Sequence, residues 1–326
     1  MERVQLKTRV VGVDISSERT TYGIVDIRGN VVAKDGFPTF DCINASDFVA
    51  KLCDGIMDLV EKNGGYETIR SVGVSSPSAS FVTGSIENAA NLPWKGVIPL
   101  AALMRDRLGL AVGVANDAHA AALGEKVFGS AHGMNDFVVL NIGLGLGSCI
   151  FANGHVHLGA LGFAGEVGHA CIVPNGRQCG CGRKGCLETY VNSKGIVDTA
   201  REVMAESDAP SLMRSLDNLS ARTIKECCDQ GDELAIEVYR RTGHILGLGI
   251  ANYASIVNPE AIIFTGGISK AGDWLLEPVA EAFEEHVFRN MRGKVKLFVS
   301  ILDNRERDVL GASAVAWDVK EYSLFK

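Results

Sequence analysis

Residues 9–33 and 136–160 of this 326-residue chain follow one plan. The first stretch runs R-V-V-G-V-D-I, a polar S-S-E-R loop, T-T-Y-G-I-V-D-I, a turn at R-G-N, and V-V-A. The second runs D-F-V-V-L-N-I, G-L-G-L-G, S-C-I-F, a turn at A-N-G, and H-V-H-L-G-A. Each opens on a mostly apolar run suited to a strand covered on both faces, where residues have no need to alternate. Each then turns at a Gly/Asn pair, which tolerates the positive φ of a tight hairpin. Two strand–loop–hairpin units half a chain apart predict a duplicated, two-lobed α/β architecture.

Helical periodicity fills the spaces between strands. Over 46–62, Phe48, Val49, Leu52, Ile56, Leu59 and Val60 form one stripe, with Ser46 expected as N-cap and Gly64 near the C-terminus. Further helices are expected over 98–108, 118–127, 233–257, 275–289 and 309–320, and a surface excursion over 208–218. Asn258–Pro259 ends the longest helix. Gly243, Gly247 and Gly249 weaken its propensity, so close packing against another element is expected to compensate. The lobes are expected as 1–117 plus about 306–326, the smaller, and 118–305, the larger.

Composition narrows the class. Hydrophobic residues make up 47% and the net charge is −7, as in a soluble enzyme and against a nucleic-acid coat or an anionic membrane surface as partner. No run of about 18 apolar residues predicts a membrane span. Residues 1–9 are polar and lead into a strand without the apolar core of a signal peptide. Of nine cysteines, Cys42, Cys53, Cys149, Cys171, Cys227 and Cys228 show no framework spacing, which fits a reducing cytoplasm.

The other three cysteines carry the sharpest local pattern. E-V-G-H is followed by C-G-C-G-R-K-G-C-L-E, placing His169, Cys179, Cys181 and Cys186 as candidate zinc ligands. Three thiolates and an imidazole are a donor set that tetrahedral structural zinc prefers. Gly180, Gly182 and Gly185 would let the loop fold tightly around one ion. Glu166 and Glu188 flank the knuckle, so it could hold a polar ligand as well as a purely structural ion.

Two glycine-lined turns could approach a nucleotide, one at G-L-G-L-G and one in A-I-I-F-T-G-G-I-S over 261–269. Neither is a P-loop nor a complete dinucleotide fingerprint, and tight hairpins alone would also use such glycines. In V-A-N-D-A-H-A-A-A-L-G-E, an apolar strand over 110–115 ends on Asn116–Asp117 where a helix begins. Asp117 could be that helix's N-cap, or a general base at a strand end. His119 reads as a surface or packing residue, and His155 and His157 as solvated.

Together these motifs resemble the ROK family (repressor, open reading frame, kinase). G-E-V-G-H with C-G-C-G-R-K-G-C-L-E is the most specific part, and N-L-P-W, N-D-A-H-A-A-A-L-G-E and T-G-G-I-S-K-A-G-D follow in the family's order. The resemblance implies the actin-like, ribonuclease-H-like fold, a structural zinc, and an ATP-dependent, glucokinase-like kinase acting on the 6-hydroxyl of a hexose such as glucose. It implies Asp117 as the base. Asn91, Asn116, Glu166, His169 and Glu188, with Asp117, would bind the sugar. Asp14 would lie near the Mg²⁺–phosphate group, and Gly143, Gly145, Gly266 and Gly267 would line the nucleotide. It further implies a cytoplasmic homodimer. The first strand begins by Arg9, leaving no room ahead of it for the helix-turn-helix domain of family repressors, so no direct DNA binding is expected.

The departures lie on the nucleotide side. Asp14-Ile15-Ser16-Ser17-Glu18 stands where family kinases read D-x-G-G-T, with a carboxylate in place of a hydroxyl beside the expected phosphates. Ile142 and Leu146 replace a usual threonine and glycine, and Ser75-Ser76-Pro77-Ser78 replaces A-P-G. These changes keep a second reading open, a sugar-binding regulator or pseudo-kinase that does not transfer phosphate.

Overall fold

Strand β1 (Arg9–Ile15) is apolar through most of its length, and it lies mid-sheet with Val10, Val11 and Val13 fully buried. The computed structural model describes residues 7–89, 91–302 and 307–319. The chain forms two compact units, Met1–Gly133 with Ile301–Lys326, and Met134–Ser300.

In the first unit β1 pairs antiparallel with β2 (Arg19–Asp26), which pairs with β3 (Val31–Pro38). On its other side β1 runs parallel to β4 (Ile69–Ser75), and β4 parallel to β8 (Ala111–Ala115), giving the order β3-β2-β1-β4-β8. A small separate sheet joins β5 (Ala79–Ser80), β6 (Ser85–Glu87) and β7 (Val97–Ile98). Helices α1 (Ala45–Lys62) and α2 (Leu100–Leu108) contribute Phe48, Leu52, Ile56 and Met104 to one core with the sheet. Helices α3 (Asp117–Val127) and α9 (Arg307–Asp318) pack on each other.

A row of glycines explains how α9 meets the sheet. Gly12 of β1 stands opposite Gly23 and Gly73, and Gly73 opposite Gly113, so four strands present backbone rather than side chains. A Cβ on Gly12 would overlap the Val309 carbonyl, and one on Gly73 the Ala312 carbonyl. The helix backbone therefore lies directly on the sheet.

The second unit repeats the plan. β9 (Phe137–Ile142) pairs antiparallel with β10 (Leu146–Ala152), β10 with β11 (His155–Val156), and β9 runs parallel to β12 (Ala261–Thr265), then β13 (Lys296–Val299). The order β11-β10-β9-β12-β13 matches β3-β2-β1-β4-β8 strand for strand in direction, which supports the duplication read from the sequence. Its helices are α4 (Glu188–Val191), α5 (Ser193–Glu206), α6 (Ala221–Asp229), α7 (Glu233–Val257) and α8 (Asp273–His286). The glycines of α7 have the expected use. A Cβ on Gly247 would stand 2.5 Å from the Val279 carbonyl of α8, and one on Gly249 2.7 Å from the Leu187 side chain.

Several boundaries differ from expectation for local reasons. Asn44, not Ser46, caps α1, accepting the Asp47 N–H at 2.8 Å. Helix α2 starts at Leu100 because Val97–Ile98 pair in β7. Helix α8 starts at Asp273, directly after Gly272, and ends at His286. The first unit continues past the expected division at Asp117, since α3 packs on α9 and Gly124 meets Gly311. Lys320, the expected end of the last helix, and the 305/306 division lie outside the described residues. Among the described residues no helix is long and apolar enough to cross a membrane.

Candidate functional site

Three parallel strands of the first unit end side by side and set its chemistry. β1 ends near Asp14, β4 at Ser75, and β8 at Ala115, with Asp14 opposite Ser75 and Ser75 opposite Ala115 in register. Beyond β8, Asn116 accepts the His119 N–H at 2.8 Å and so caps α3. The cap alternative for Asp117 is thereby removed, and its carboxylate is left for other partners. The Ser75 hydroxyl donates to Asp117 Oδ1 at 3.3 Å and lies close enough to Asp14 to oppose the rise in that carboxyl's pKa.

Electrostatics sharpen this cluster. Burial lifts Asp117 to about 6, Asp308 adds to the rise, and the Ser75 bond opposes it. Asp14 is raised well above the usual carboxylate range, by burial first and then by Asp308 and Asp117. A carboxylate titrating near neutrality can take a proton from a hydroxyl at working pH. Desolvated negative charges side by side also suit a cation-bearing polyphosphate. His119 is a packing residue: it is buried against Phe81, with ring centroids 4.9 Å apart, and burial lowers it to about 4.

The altered first loop is a tight turn. Ser16 Oγ accepts the Arg19 N–H at 3.2 Å and donates to the Arg19 carbonyl at 2.9 Å. Neither Ser16 nor Ser17 takes a positive φ, so the turn closes without the family's glycines, and Glu18 is exposed. Ser78 does take a positive φ, 55°, where the family pattern has glycine. Asn91 is exposed, three residues before Trp94, whose indole N–H donates to the Cys42 carbonyl at 3.0 Å.

In the second unit His169, Cys179, Cys181 and Cys186 come together, with one donor atom of each within 4.8 Å of the rest. Cys181 and Cys186 sulfurs are 3.7 Å apart, as are Cys179 Sγ and His169 Nδ1. Ligands about 2.3 Å from one tetrahedral ion stand about 3.8 Å from each other, so the spacing fits zinc. Hydrogen bonds from the Arg183 backbone and guanidinium pull the Cys181 thiol down to about 6, while burial and the neighbouring thiols push Cys186 up to about 12. A dication would relieve that conflict by holding all three as thiolates. Arg183 also donates to the His169 carbonyl at 2.7 Å. Of the knuckle's glycines, Gly182 and Gly185 have positive φ, and a Cβ on Gly185 would overlap the Val173 carbonyl. Gly180 has open space and a φ that any residue adopts.

His169 presents Nδ1 to the thiols, leaving Nε2 for another partner. Glu166 is exposed beside the knuckle and close enough to Tyr253 to raise that phenol's pKa, after burial. Glu188, the first residue of α4, accepts the Leu146 N–H at 2.8 Å. Arg177 ties the knuckle to the helices that follow, pairing with Glu202 at 2.7 Å and donating to the Thr189 and Gly195 carbonyls. Sequence reasoning missed Arg177, as it missed α5 and α6.

In each of the two glycine turns of this unit one glycine lines a cavity and the other is closely packed. Gly143 and Gly267 line a cavity of about 780 Å³ together with Ser193, Lys194, Tyr239 and Lys270. That volume lies in the range of small-molecule sites. Gly145 and Gly266, expected beside them, are positions with no room for a side chain. A Cβ on Gly145 would stand 2.8 Å from Glu188 Oε2, and one on Gly266, whose φ is 89°, would overlap the Ile142 carbonyl. His155 and His157 are exposed.

Residues 10–319 match the ROK family. A glucokinase of Halalkalibacterium halodurans is 33% identical over 321 residues, spanning 95% of this chain and 94% of that protein. A ROK family glucokinase from Streptomyces griseus, solved in complex with glucose and AMPPNP, superposes at a TM-score of 0.78 and 29% identity, over 95% of this chain and 100% of that one. A ROK family transcriptional regulator, a homolog of the E. coli MLC protein, superposes at 0.85 and 27% identity, over 95% of this chain and 78% of that one. With this match running through both units, the chain belongs to the ROK family and has the actin-like α/β fold of that family's sugar kinases.

Proposed function

We propose that the chain is an ATP-dependent hexose kinase that phosphorylates the 6-hydroxyl of glucose or a close relative. The observation that carries this reading is Asp117, released from capping by Asn116 and raised to about 6. Its carboxylate takes the hydroxyl proton as the sugar oxygen attacks the γ-phosphorus, while the bond from that phosphorus to the β-phosphate oxygen breaks and ADP leaves. Ser75 holds the carboxylate in place through its hydroxyl. Asn91, Asn116, Glu166, His169 and Glu188 supply the remaining sugar contacts, carboxylates accepting from hydroxyls and His169 using Nε2. The second unit's cavity suits the nucleoside, with Lys194 and Lys270 near its phosphates. Asp14 would stand near the phosphate-bound Mg²⁺, whose chemistry is to neutralise charge on the transferred group. His169, Cys179, Cys181 and Cys186 would hold a structural zinc that fixes the His169 ring.

A second reading, a sugar-binding regulator that transfers no phosphate, is favoured by the Ser16-Ser17-Glu18 turn and by the similarity to the transcriptional regulator. Purified protein incubated with MgATP and a hexose panel separates the two. Sugar-dependent ADP release that vanishes in Asp117→Ala supports the kinase. Tight sugar binding without turnover on any sugar overturns it.

A further inference from the structure

The glycine turn Gly143–Gly145 does little to hold its own shape. Its internal hydrogen bond joins the Gly143 N–H to the Gly145 carbonyl at 2.9 Å, and the Leu144 side chain is 80% exposed. Where Gly143 would carry a Cβ, no atom lies within 4 Å. The Gly143 and Leu144 carbonyls are held from outside, both by one short stretch of chain. Ser193 donates to the Gly143 carbonyl twice, from its backbone N–H and from its hydroxyl, each at 2.9 Å. Asn192 Nδ2 donates to the Leu144 carbonyl at 3.1 Å. Just past the turn, Leu146 N–H donates to Glu188 Oε2 at 2.8 Å.

That stretch begins two residues after the knuckle's last cysteine and ends in the first turn of α5. It is rigid at both ends. Arg177 pins the Thr189 and Gly195 carbonyls, and Asn192 Oδ1 caps α5 by accepting the Gly195 N–H at 2.7 Å. Asn192 thus uses both ends of its amide, one on the helix and one on the turn. Ser193 and Gly143 also line the same cavity.

We propose that Asn192 and Ser193 are positioning residues for nucleotide phosphates, acting through the glycine turn whose carbonyls they hold. This rests on the kinase reading and adds two residues to it that touch neither the sugar nor the reacting atoms. Fixing the Gly143 and Leu144 carbonyls fixes the peptide planes of the turn, and with them the direction of the Leu144 and Gly145 N–H groups, which would meet an anion. A turn without these bonds samples other shapes and binds phosphate less well, because ordering it then costs entropy.

The test compares Ser193→Ala, Ser193→Thr and Asn192→Ser with wild type. Ser193→Ala keeps the backbone bond and loses the hydroxyl bond; Ser193→Thr restores a hydroxyl. Asn192→Ser keeps a helix cap and loses the donor to Leu144. Two quantities are read: KM for ATP and for sugar in turnover, and the dissociation constant of a non-hydrolysable ATP analogue by calorimetry, which needs no turnover. Losing one such hydrogen bond corresponds to about a tenfold change at most. Ser193→Ala and Asn192→Ser should each weaken the analogue and raise KM for ATP about five- to tenfold, with sugar KM and kcat within about twofold. Ser193→Thr should recover most of the loss. Equal nucleotide affinity in all variants, with an active wild type, overturns the positioning role and leaves the kinase reading intact. A parallel loss of sugar affinity also overturns it, since the defect would then be general. Analogue binding that depends on these residues in a wild type without turnover supports the positioning role while the kinase reading fails. A wild type that binds no nucleotide at millimolar concentration overturns both.

Discussion

Asp117→Asn is expected to stabilise the folded protein while removing phosphotransfer. Burial, reinforced by Asp308, moves Asp117 from the usual 3.8 to about 6. At 1.36 kcal/mol per pH unit, the rise corresponds to about 3 kcal/mol held against the ionised carboxylate in the folded state. Below 3.8 the group is neutral whether the chain is folded or unfolded, and it costs nothing. As pH rises from 3.8 to about 6 the unfolded chain loses its proton first, so native stability falls across that window, and above it the loss is complete. Asparagine is neutral throughout, and its Oδ1 can still accept the Ser75 hydroxyl. The variant should therefore exceed wild type by up to about 3 kcal/mol at pH 7 and match it near pH 4. Urea unfolding at both pH values reads this, following tryptophan fluorescence. Trp94 and Trp317 lie in the first unit with Asp117 and Trp274 in the second, so transitions of the two units can be distinguished where they separate. Sugar-dependent ADP release should fall by about 10²- to 10⁴-fold in the same variant. A variant no more stable than wild type at pH 7, or one that keeps its turnover, would refute the reasoning from burial to base.

Wild-type turnover should lose activity on the acid side with a midpoint near 6, about tenfold for each further pH unit, as the base becomes protonated; a flat profile between pH 5 and 7 would exclude Asp117 from proton transfer. Elemental analysis should find about one zinc per chain, and Cys186→Ser should lower both metal content and sugar affinity; full sugar binding by metal-free protein would detach His169 from the site. Gly247→Ala should cost about 1–3 kcal/mol although alanine is the better helix former, because its Cβ would stand 2.5 Å from the Val279 carbonyl; a net gain in thermal stability would mean that α7 and α8 can separate freely.

The parts of the fold legible in the sequence are those encoded by local pattern. The β1–β2–β3 and β9–β10–β11 hairpins were readable because each joins an apolar run to a Gly/Asn turn. The knuckle was readable because its candidate ligands are close in sequence. Helices α5 and α6 were not read. Helix α5 opens on Ser193-Lys194-Gly195, a weak start, and it depends on the Asn192 cap for its first turn. The glycine row under α9 was also invisible. Gly12, Gly23, Gly73 and Gly113 are scattered along the chain and become one surface only when four strands align.

The same distinction decides what could be read of the site. Asp117 could be named from its motif, but its freedom to act as a base depends on Asn116 taking the cap, and both residues are good capping types. The pattern therefore left two roles open, and the geometry gives the cap to Asn116. Ser75 was visible only as a departure from A-P-G, and its meaning comes from the parallel register that sets it between Asp14 and Asp117. On the nucleotide side the departures look severe residue by residue, yet Ser16 and Ser17 close their turn without positive φ and Glu18 is exposed. The penalty expected from a carboxylate beside phosphates scales with burial, since an exposed charge is screened by water and salt. An exposed Glu18 thus weakens the strongest objection to phosphotransfer, and the weight of the kinase reading shifts to the base.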